Sequence, residues 1–150
     1  MRVLARSLIA ADEVVRVPLM NAYRGDLFAA AYIIGANVDE ELVPPIFGPP
    51  EEVLRRIGEA VGKRPVAFGG EGARSHAVAV EAFFGAPENG TEPVEAPTAV
   101  AIAAEIENVM RGRGPDDLAA LEPQYLRPSD AKLPERALSV LTPIPTPSEE

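Results

Sequence analysis

The chain has 150 residues, a length that fits a single domain with one core. Its 14 basic and 23 acidic side chains give a net charge of −9, and the basic residues are scattered, so direct binding to RNA is not expected. The absence of cysteine excludes disulfides, Cys-ligated zinc and thiol nucleophiles. No apolar run approaches the roughly 20 residues that a membrane span needs, which predicts a cytoplasmic protein.

The N-terminal third predicts a helix followed by a β-hairpin. Residues 1–11 are mostly apolar and predict a short helix. Residues 14–20 predict a strand that is either at a sheet edge or begins near Pro18, because proline cannot donate to the ladder. Residues 21–26 have turn composition, and residues 27–34 form a second apolar run.

A further strand and a helix are predicted next. Residues 38–43 favour a third, weaker strand, and residues 44–50 read as a proline-rich link. A helix then begins near Glu51, where acidic groups suit the helix dipole, and ends at Gly62. Its apolar positions follow helical spacing: Val53, Leu54, Ile57 and Val61.

The second half of the chain alternates a strand with helices. Residues 65–68 predict a buried strand, followed by the glycine-rich residues 69–72. Helices are predicted over residues 73–84 and 98–110, and a helical turn over residues 116–121. This order of strands and helices indicates an α/β or α+β fold.

Loops and a tail separate and close these elements. Residues 86–97 have loop composition, and residues 123–128 are expected to be extended because prolines disfavour the α region for the residue before them. Residues 134–150 lose periodicity and predict a proline-rich disordered tail. The domain is therefore predicted to span residues 1–133.

His76 is the only histidine and the first candidate for chemistry. A general base is possible from the usual pKa of histidine, and that would suggest a hydrolase. No Gly-x-Ser-x-Gly motif accompanies it, so a structural or surface role is favoured. One histidine also cannot build a multi-histidine metal site.

The turn Gly69–Gly72 follows a strand and opens a helix, which is where a phosphate can bind. It matches neither the dinucleotide fingerprint nor the P-loop, and Glu71 would repel a phosphate. A tight turn that requires glycine is the favoured interpretation, and a nucleotide or small-molecule site is the alternative.

The remaining polar clusters have simpler interpretations. Arg24 and Asp26 flank Gly25 and suggest a solvated hairpin tip more than a binding turn. The acidic run 39–41 suggests a solvated face more than a metal site, and Asp116 and Asp117 follow Pro115 at a natural helix start. The residues alone therefore assign no catalytic and no metal-binding residue, and leave cofactor-binding residues unknown.

Two segments resemble the TsaB family of tRNA-modification proteins. Residues 17–32, VPLMNAYRGDLFAAAY, resemble that family's apolar strand, Asp-Ala-Arg-x-Gly-Glu turn and aromatic-containing strand, with Asn21, Tyr23 and Asp26 replacing the usual Asp, Arg and Glu. Residues 122–131, EPQYLRPSDA, are similar to the family's C-terminal Glu-Pro-x-Tyr-Leu-Arg signature. Weaker likeness covers the helix before the first segment and the glycine-rich turn between the two.

The resemblance implies a C-terminal lobe of the actin-like ATPase fold (ASKHA, RNase H-like), a mixed sheet with flanking helices. The family's N-terminal Gly-Pro-Gly-Ser-Phe-Thr-Gly-type segment has no counterpart in this sequence. The implied function is a non-catalytic subunit, without a cofactor, that supports the catalytic protein TsaD together with the ATPase TsaE. TsaD transfers a threonylcarbamoyl group to the adenosine beside the anticodon of tRNA.

A lobe by itself also leads to a physical expectation. Each half of a two-lobed fold buries apolar surface against the other, so a single lobe should expose an apolar patch. We therefore expect self-association, as a homo-oligomer, or marginal stability.

Overall fold

A computed structural model describes residues 1–35, 39–85, 94–112, 117–120, 122–123 and 125–126. The strands are β1 (Val15–Asn21), β2 (Leu27–Ile34), β3 (Asp39–Gly48) and β4 (Val66–Gly69), in the sheet order β3-β2-β1-β4. The helices are α1 (Arg2–Ser7), α2 (Pro50–Val61), α3 (Glu71–Ser75), α4 (Ala77–Phe84) and α5 (Ala99–Gly112). Short 3₁₀ turns lie at Tyr23–Gly25 and Leu118–Ala120. The α/β class is confirmed as a mixed sheet flanked by helices.

The predicted hairpin is present, with β1 and β2 antiparallel. Pro18 does not place β1 at an edge or at its own first residue, because β1 begins at Val15 and lies between β2 and β4. The β1–β2 ladder pairs Arg16 with Tyr32 and resumes at Leu19. The missing N–H of proline thus affects local pairing and does not end the strand.

β3 is longer than the sequence predicts and runs through Pro44 and Pro45 to Gly48. The register pairs Tyr32 with Glu41, Ala31 with Val43, and Ala29 with Ile46. β3 therefore contains an extra residue at each of two steps, one of which includes both prolines. Bulges on an edge strand are the positions where a sheet tolerates proline, so the predicted link over residues 44–50 is wrong.

Helix α2 connects β3 to β4 and confirms the predicted helix. Pro50 occupies its first turn, where the absent N–H costs nothing, and two glutamates follow. Gly62 ends the helix with φ +66°, and its N–H donates to the carbonyl of Gly58 at 2.9 Å. The chain then enters β4, which lies parallel to β1.

Buried side chains cover both faces of the sheet. On one face, alternate residues of β1 and β2 pack against α2, and the cluster includes Val15, Val17, Leu19, Leu27, Ala29, Val53, Leu54, Ile57 and Val61. On the other face, Ala30, Tyr32 and Ile34 pack with Ala5 of α1. Full burial of one large aliphatic side chain contributes about 1.5–3 kcal/mol, so both faces stabilise the fold.

Helix α5 lies against α1, on the second face. Thr98 precedes it, and its Oγ1 accepts a hydrogen bond from the N–H of Ala101 at 3.1 Å, as an N-cap does. The N–H of Thr98 donates to Oγ of Ser7 at 3.0 Å, which ties the start of α5 to the end of α1. The prediction of a helix over residues 98–110 is confirmed, whereas the N-terminal helix ends at Ser7 rather than Ala11.

Other predictions are tested in part. The predicted helical turn over residues 116–121 corresponds to Leu118–Ala120. The tail 134–150, half of the extended segment 123–128 (residues 124, 127 and 128) and the loop residues 86–93 lie outside the described residues. Among the described helices, none combines the length and the apolar character needed to cross a bilayer.

Candidate functional site

The turn between β1 and β2 contains two residues with positive φ. Arg24 has φ 68° and Gly25 has φ 83°. The left-handed region is uncommon for a residue with a side chain, so Arg24 stores some backbone strain. The N–H of Ala22 donates to the carbonyl of Asp26 at 2.8 Å and closes the turn. The hairpin tip predicted at Arg24–Asp26 is confirmed as a turn, and Arg24 is exposed.

The glycine-rich turn between β4 and α3 is filled by the protein itself. Gly70 has φ +107°, and a Cβ at this position would overlap the carbonyl oxygen of Leu19. A Cβ on Gly72 would lie 2.7 Å from Cδ1 of Leu27. The N–H of Gly70 donates to the carbonyl of Val94 at 2.5 Å. The interpretation as a tight turn that requires glycine is therefore confirmed, and one of the N–H groups a phosphate would need already has a partner.

His76 lies at a break between two helices. The sequence predicts one helix over residues 73–84, but His76 has φ −119° and ψ 30°, and it separates α3 from α4. Its N–H donates to the carbonyl of Gly72 at 3.1 Å, and its carbonyl accepts from the N–H of Val80 at 2.9 Å. The backbone of His76 therefore serves both helices, and its imidazole projects at their junction.

The break is connected to the hairpin. Nδ2 of Asn21, at the end of β1, donates to Oγ of Ser75 at 2.8 Å. The tertiary structure thus brings the β1–β2 turn and the helix break at His76 into one region, which the sequence could not indicate because residues 21 and 75 are far apart in the chain.

This region contains an open groove of about 650 Å³, within the range of small-molecule sites. Its lining residues are Glu51, Arg74, Ser75, His76, Ala77, Val78, Ala79, Ala82 and Phe83. The lining combines polar side chains, such as Arg74 and His76, with apolar ones. Among the apolar residues, Val78 is 86% and Phe83 46% exposed. The groove can therefore hold an amphipathic group.

Two polar groups of the groove already have protein partners. Nη1 of Arg74 lies 2.5 Å from Oε1 of Glu95, and Oγ of Ser75 accepts from Asn21. Sequence reasoning identified His76 but missed Ser75, Arg74 and Phe83. No local signal marks them, because the run Ala73–Phe84 contains no proline or glycine that would announce a helix break.

A second polar cluster joins α1, β3 and α5. The guanidinium of Arg6 pairs with Asp39 and, through Nε at 2.6 Å, with Oε2 of Glu105. Arg2 lies 3.6 Å from Glu105 and 3.8 Å from Glu41. The prediction that residues 39–41 form a solvated face is wrong for Asp39, whose side chain is 15% exposed, because Arg6 approaches it from α1.

Tyr32 lies beneath this cluster. The guanidinium carbon of Arg2 is 5.8 Å from its ring centroid, which is the geometry of a cation–π contact. Burial raises the pKa of Tyr32 to about 12, and the negative charge of Glu41 adds to the shift. The ion pairs join α1 to β3 and α1 to α5, so the cluster holds both helices to the sheet. Among the described residues, no group of three or more His, Asp or Glu side chains could hold a metal ion.

Fold and groove define a mixed α/β domain with an amphipathic surface groove at a helix break. In comparisons with known proteins, no protein-family model matches the chain, and no curated protein matches it significantly.

Proposed function

We propose that this chain is a TsaB-type subunit that supports a TsaD-like catalytic protein, with a TsaE-like ATPase, in threonylcarbamoyl modification of tRNA in the cytoplasm. In this proposal the chain performs no catalysis and binds no cofactor. The proposal includes the finer fold, one lobe of the actin-like ATPase architecture.

The hairpin is the observation that carries the proposal. Residues 17–32 resemble a family segment that consists of a strand, a turn and a strand, and they lie in β1, the turn and β2. Gly25, which the family pattern shares, has φ 83°, a conformation that favours glycine at this position. The sheet flanked by helices supports the proposal at the level of fold class.

Reconstitution tests the proposal. The full chain is mixed with TsaD, and the complex is measured by size-exclusion chromatography with light scattering, which separates a heterodimer from a self-associated form by mass. We expect a 1:1 complex and faster transfer of threonylcarbamoyl to tRNA by TsaD and TsaE. Unshifted elution together with unchanged transfer would reject the proposal.

A restoration variant sharpens this test. Asn21→Asp with Asp26→Glu introduces two of the family's usual turn residues. In the wild type, Oγ of Ser75 accepts a hydrogen bond from the side-chain amide of Asn21. In Asn21→Asp the same hydroxyl can donate to the new carboxylate, so the contact with α3 is retained. We expect tighter binding to TsaD if the turn takes part in docking. Arg55→Ala on the exposed side of α2 is the matched control and should leave binding unchanged.

The groove favours a second candidate function, the binding of a small amphipathic molecule without catalysis. Its volume and its mixture of polar and apolar lining residues support this candidate. Nucleotides are poor candidates, because Glu51 lines the groove and the net charge is −9. Calorimetry should show no heat with ATP or ADP, whereas fragments that bind should shift the amide resonances of Ser75–Ala79. A fragment screen without shifts there would remove this candidate.

The His76 hydrolase hypothesis has its own test. The imidazole lies beside Ser75 in the groove, but Oγ of that serine accepts from Asn21. Any hydrolysis of ester substrates should be equal in the wild type and in His76→Ala. A loss of activity in the variant would revive the hypothesis.

A further inference from the structure

The outward side of α5 exposes a row of apolar side chains. The exposed fractions are 80% for Val100, 45% for Ile102, 54% for Ile106 and 74% for Met110. Ile102, Ile106 and Met110 recur every four residues and therefore lie on one side of the helix, whereas Val100 lies farther round it. We call Ile102, Ile106 and Met110 the α5 stripe.

The helix that carries the stripe is held firmly to the domain. Ala101 is only 5% exposed, and Glu105 bonds to Arg6. Thr98 connects the start of the helix to Ser7. The inward positions thus account for the attachment of α5, and the stripe is left facing outward.

The size of the stripe can be compared with what a dimer needs. The exposed fractions of these three residues correspond to on the order of 350 Å² of surface, within the range of the largest patches on monomers, which are often functional. A standard interface takes about 800 Å² from each partner. The stripe therefore supplies the centre of an interface, with polar neighbours as its rim.

The charges on α5 suit a second copy of this chain. Glu105 is neutralised by Arg6, and Oε2 of Glu107 lies 2.8 Å from Nη2 of Arg111. The helix surface is therefore locally neutral, although the chain as a whole is acidic. A two-fold axis near Ile106 brings Glu107 close to its own copy, but each Glu107 is paired with Arg111, so two copies meet there without net charge. A strongly basic partner would find no acidic excess to bind.

The described residues that follow α5 do not cover the stripe. Residues 117, 119 and 120 are exposed, and Tyr125 is 82% exposed. We propose that a second copy packs its α5 stripe against this one about a two-fold axis, with the two helices antiparallel and Ile106 near the axis. A two-fold axis lets one patch bind itself, and antiparallel helices bring opposite dipole ends together. The inference does not depend on the proposed function.

Sedimentation velocity of the full chain tests the dimer. We expect a concentration-dependent dimer that Ile106→Glu weakens at least about tenfold, since a charge would then be buried without a partner. Val78→Glu is the matched control, because Val78 is 86% exposed on α4 and outside the stripe. It should leave the dimer unchanged. A chain that stays monomeric at high concentration overturns the proposal, and the stripe would then be covered by the chain's own C-terminal segment or by another partner. A dimer that survives Ile106→Glu also overturns it.

A second measurement does not depend on the folding of the glutamate variant. The chain has no cysteine, so Ile106→Cys introduces a single thiol at the proposed axis, where the two copies of this residue are closest. Mild oxidation should link two copies of this variant, while Val78→Cys should stay unlinked. Equal linking of both variants, or of neither, contradicts the α5 dimer.

Discussion

Arg6 and Arg16 are two largely buried arginines in different surroundings. Arg6 pairs with Asp39 and Glu105. Arg16 is 8% exposed and donates from Nη2 to the carbonyl of Ala10 at 2.9 Å, but its Nε is buried without a hydrogen-bond partner. Burial lowers the pKa of Arg16, which Asp12 only partly offsets. Removing these two charges should therefore have opposite consequences for stability.

We predict that Arg16→Met leaves the free energy of unfolding unchanged or raises it, since the buried cation gains little from its partners. Arg6→Met should lower it by about 3 kcal/mol, because the largely buried Asp39 loses its ion pair and Glu105 keeps only the more distant Arg2. Urea unfolding of both variants checks this. Equal losses in the two would show that Arg16 is as well satisfied as Arg6.

Gly70 is a position where backbone conformation and space act together. Gly70→Ala should destabilise the fold by at least about 3 kcal/mol, because φ +107° is strained for alanine and its Cβ meets the carbonyl of Leu19. Gly58→Ala is the control, since its Cβ would lie at an ordinary 4.0 Å from Phe83 inside a helix. That change should stabilise by up to about 1 kcal/mol. Thermal unfolding of both variants provides the measurement, and a tolerated Gly70→Ala would contradict the packing of this turn.

Tyr32 predicts how stability depends on alkaline pH. Its pKa is about 12 in the fold, against an ordinary value of 10.0. Between these two values the unfolded chain releases the phenolic proton and the folded chain keeps it. Tyr32 therefore contributes stability below pH 10, and that contribution is lost as pH rises toward 12. The unfolding free energy should fall more steeply between pH 10.0 and about pH 12 for the wild type than for Tyr32→Phe. Parallel curves would remove Tyr32 as the cause.

At the scale of elements, α5 depends on its cap. Thr98→Ala removes the hydroxyl that accepts from Ala101 and should cost about 1 kcal/mol. Amide hydrogen exchange should then rise selectively in the first turn of α5. Thr98→Ser keeps the hydroxyl and is the matched control. Unchanged exchange in Thr98→Ala would mean that packing on α1, rather than the cap, determines where the helix begins.

The α3–α4 break is the element that turns a simple helix into a candidate site. Asn21 from the hairpin meets Ser75 there, and the groove begins at His76. A continuous helix over the same residues would direct these side chains around its axis instead of grouping them at one junction. The chemistry available at this site therefore follows from the break rather than from the residue types.

For the whole molecule, the net charge of −9 opposes association at long range while the α5 stripe is locally neutral. Salt screens the long-range repulsion and leaves apolar contact intact. We therefore predict that raising the salt concentration from about 0.01 to about 0.15 M strengthens the dimer, which sedimentation equilibrium measures. A dimer that weakens with salt would indicate an interface built on ion pairs. The control variant Val78→Glu should still dimerise, and salt should strengthen its dimer more because the variant carries an additional negative charge.

Local sequence signals were enough to predict three elements of the fold. Turn residues between two apolar runs specify the β1–β2 hairpin, helical spacing with Gly62 at its end specifies α2, and alanine-rich periodicity specifies α5. The sequence also identified His76 and the need for glycine at residues 69–72. These features depend on neighbours within a few residues, which a linear reading contains.

Tertiary structure alone decided the remainder. Pro44 and Pro45 remain in β3 because a bulge against β2 accommodates them, and Asp39 is largely buried because Arg6 reaches it from α1. The groove exists because the helix breaks at His76 beside Asn21. Each of these outcomes depends on residues that are far apart in the chain. Their interactions form only after the sheet has brought these residues together, so a linear reading does not contain them.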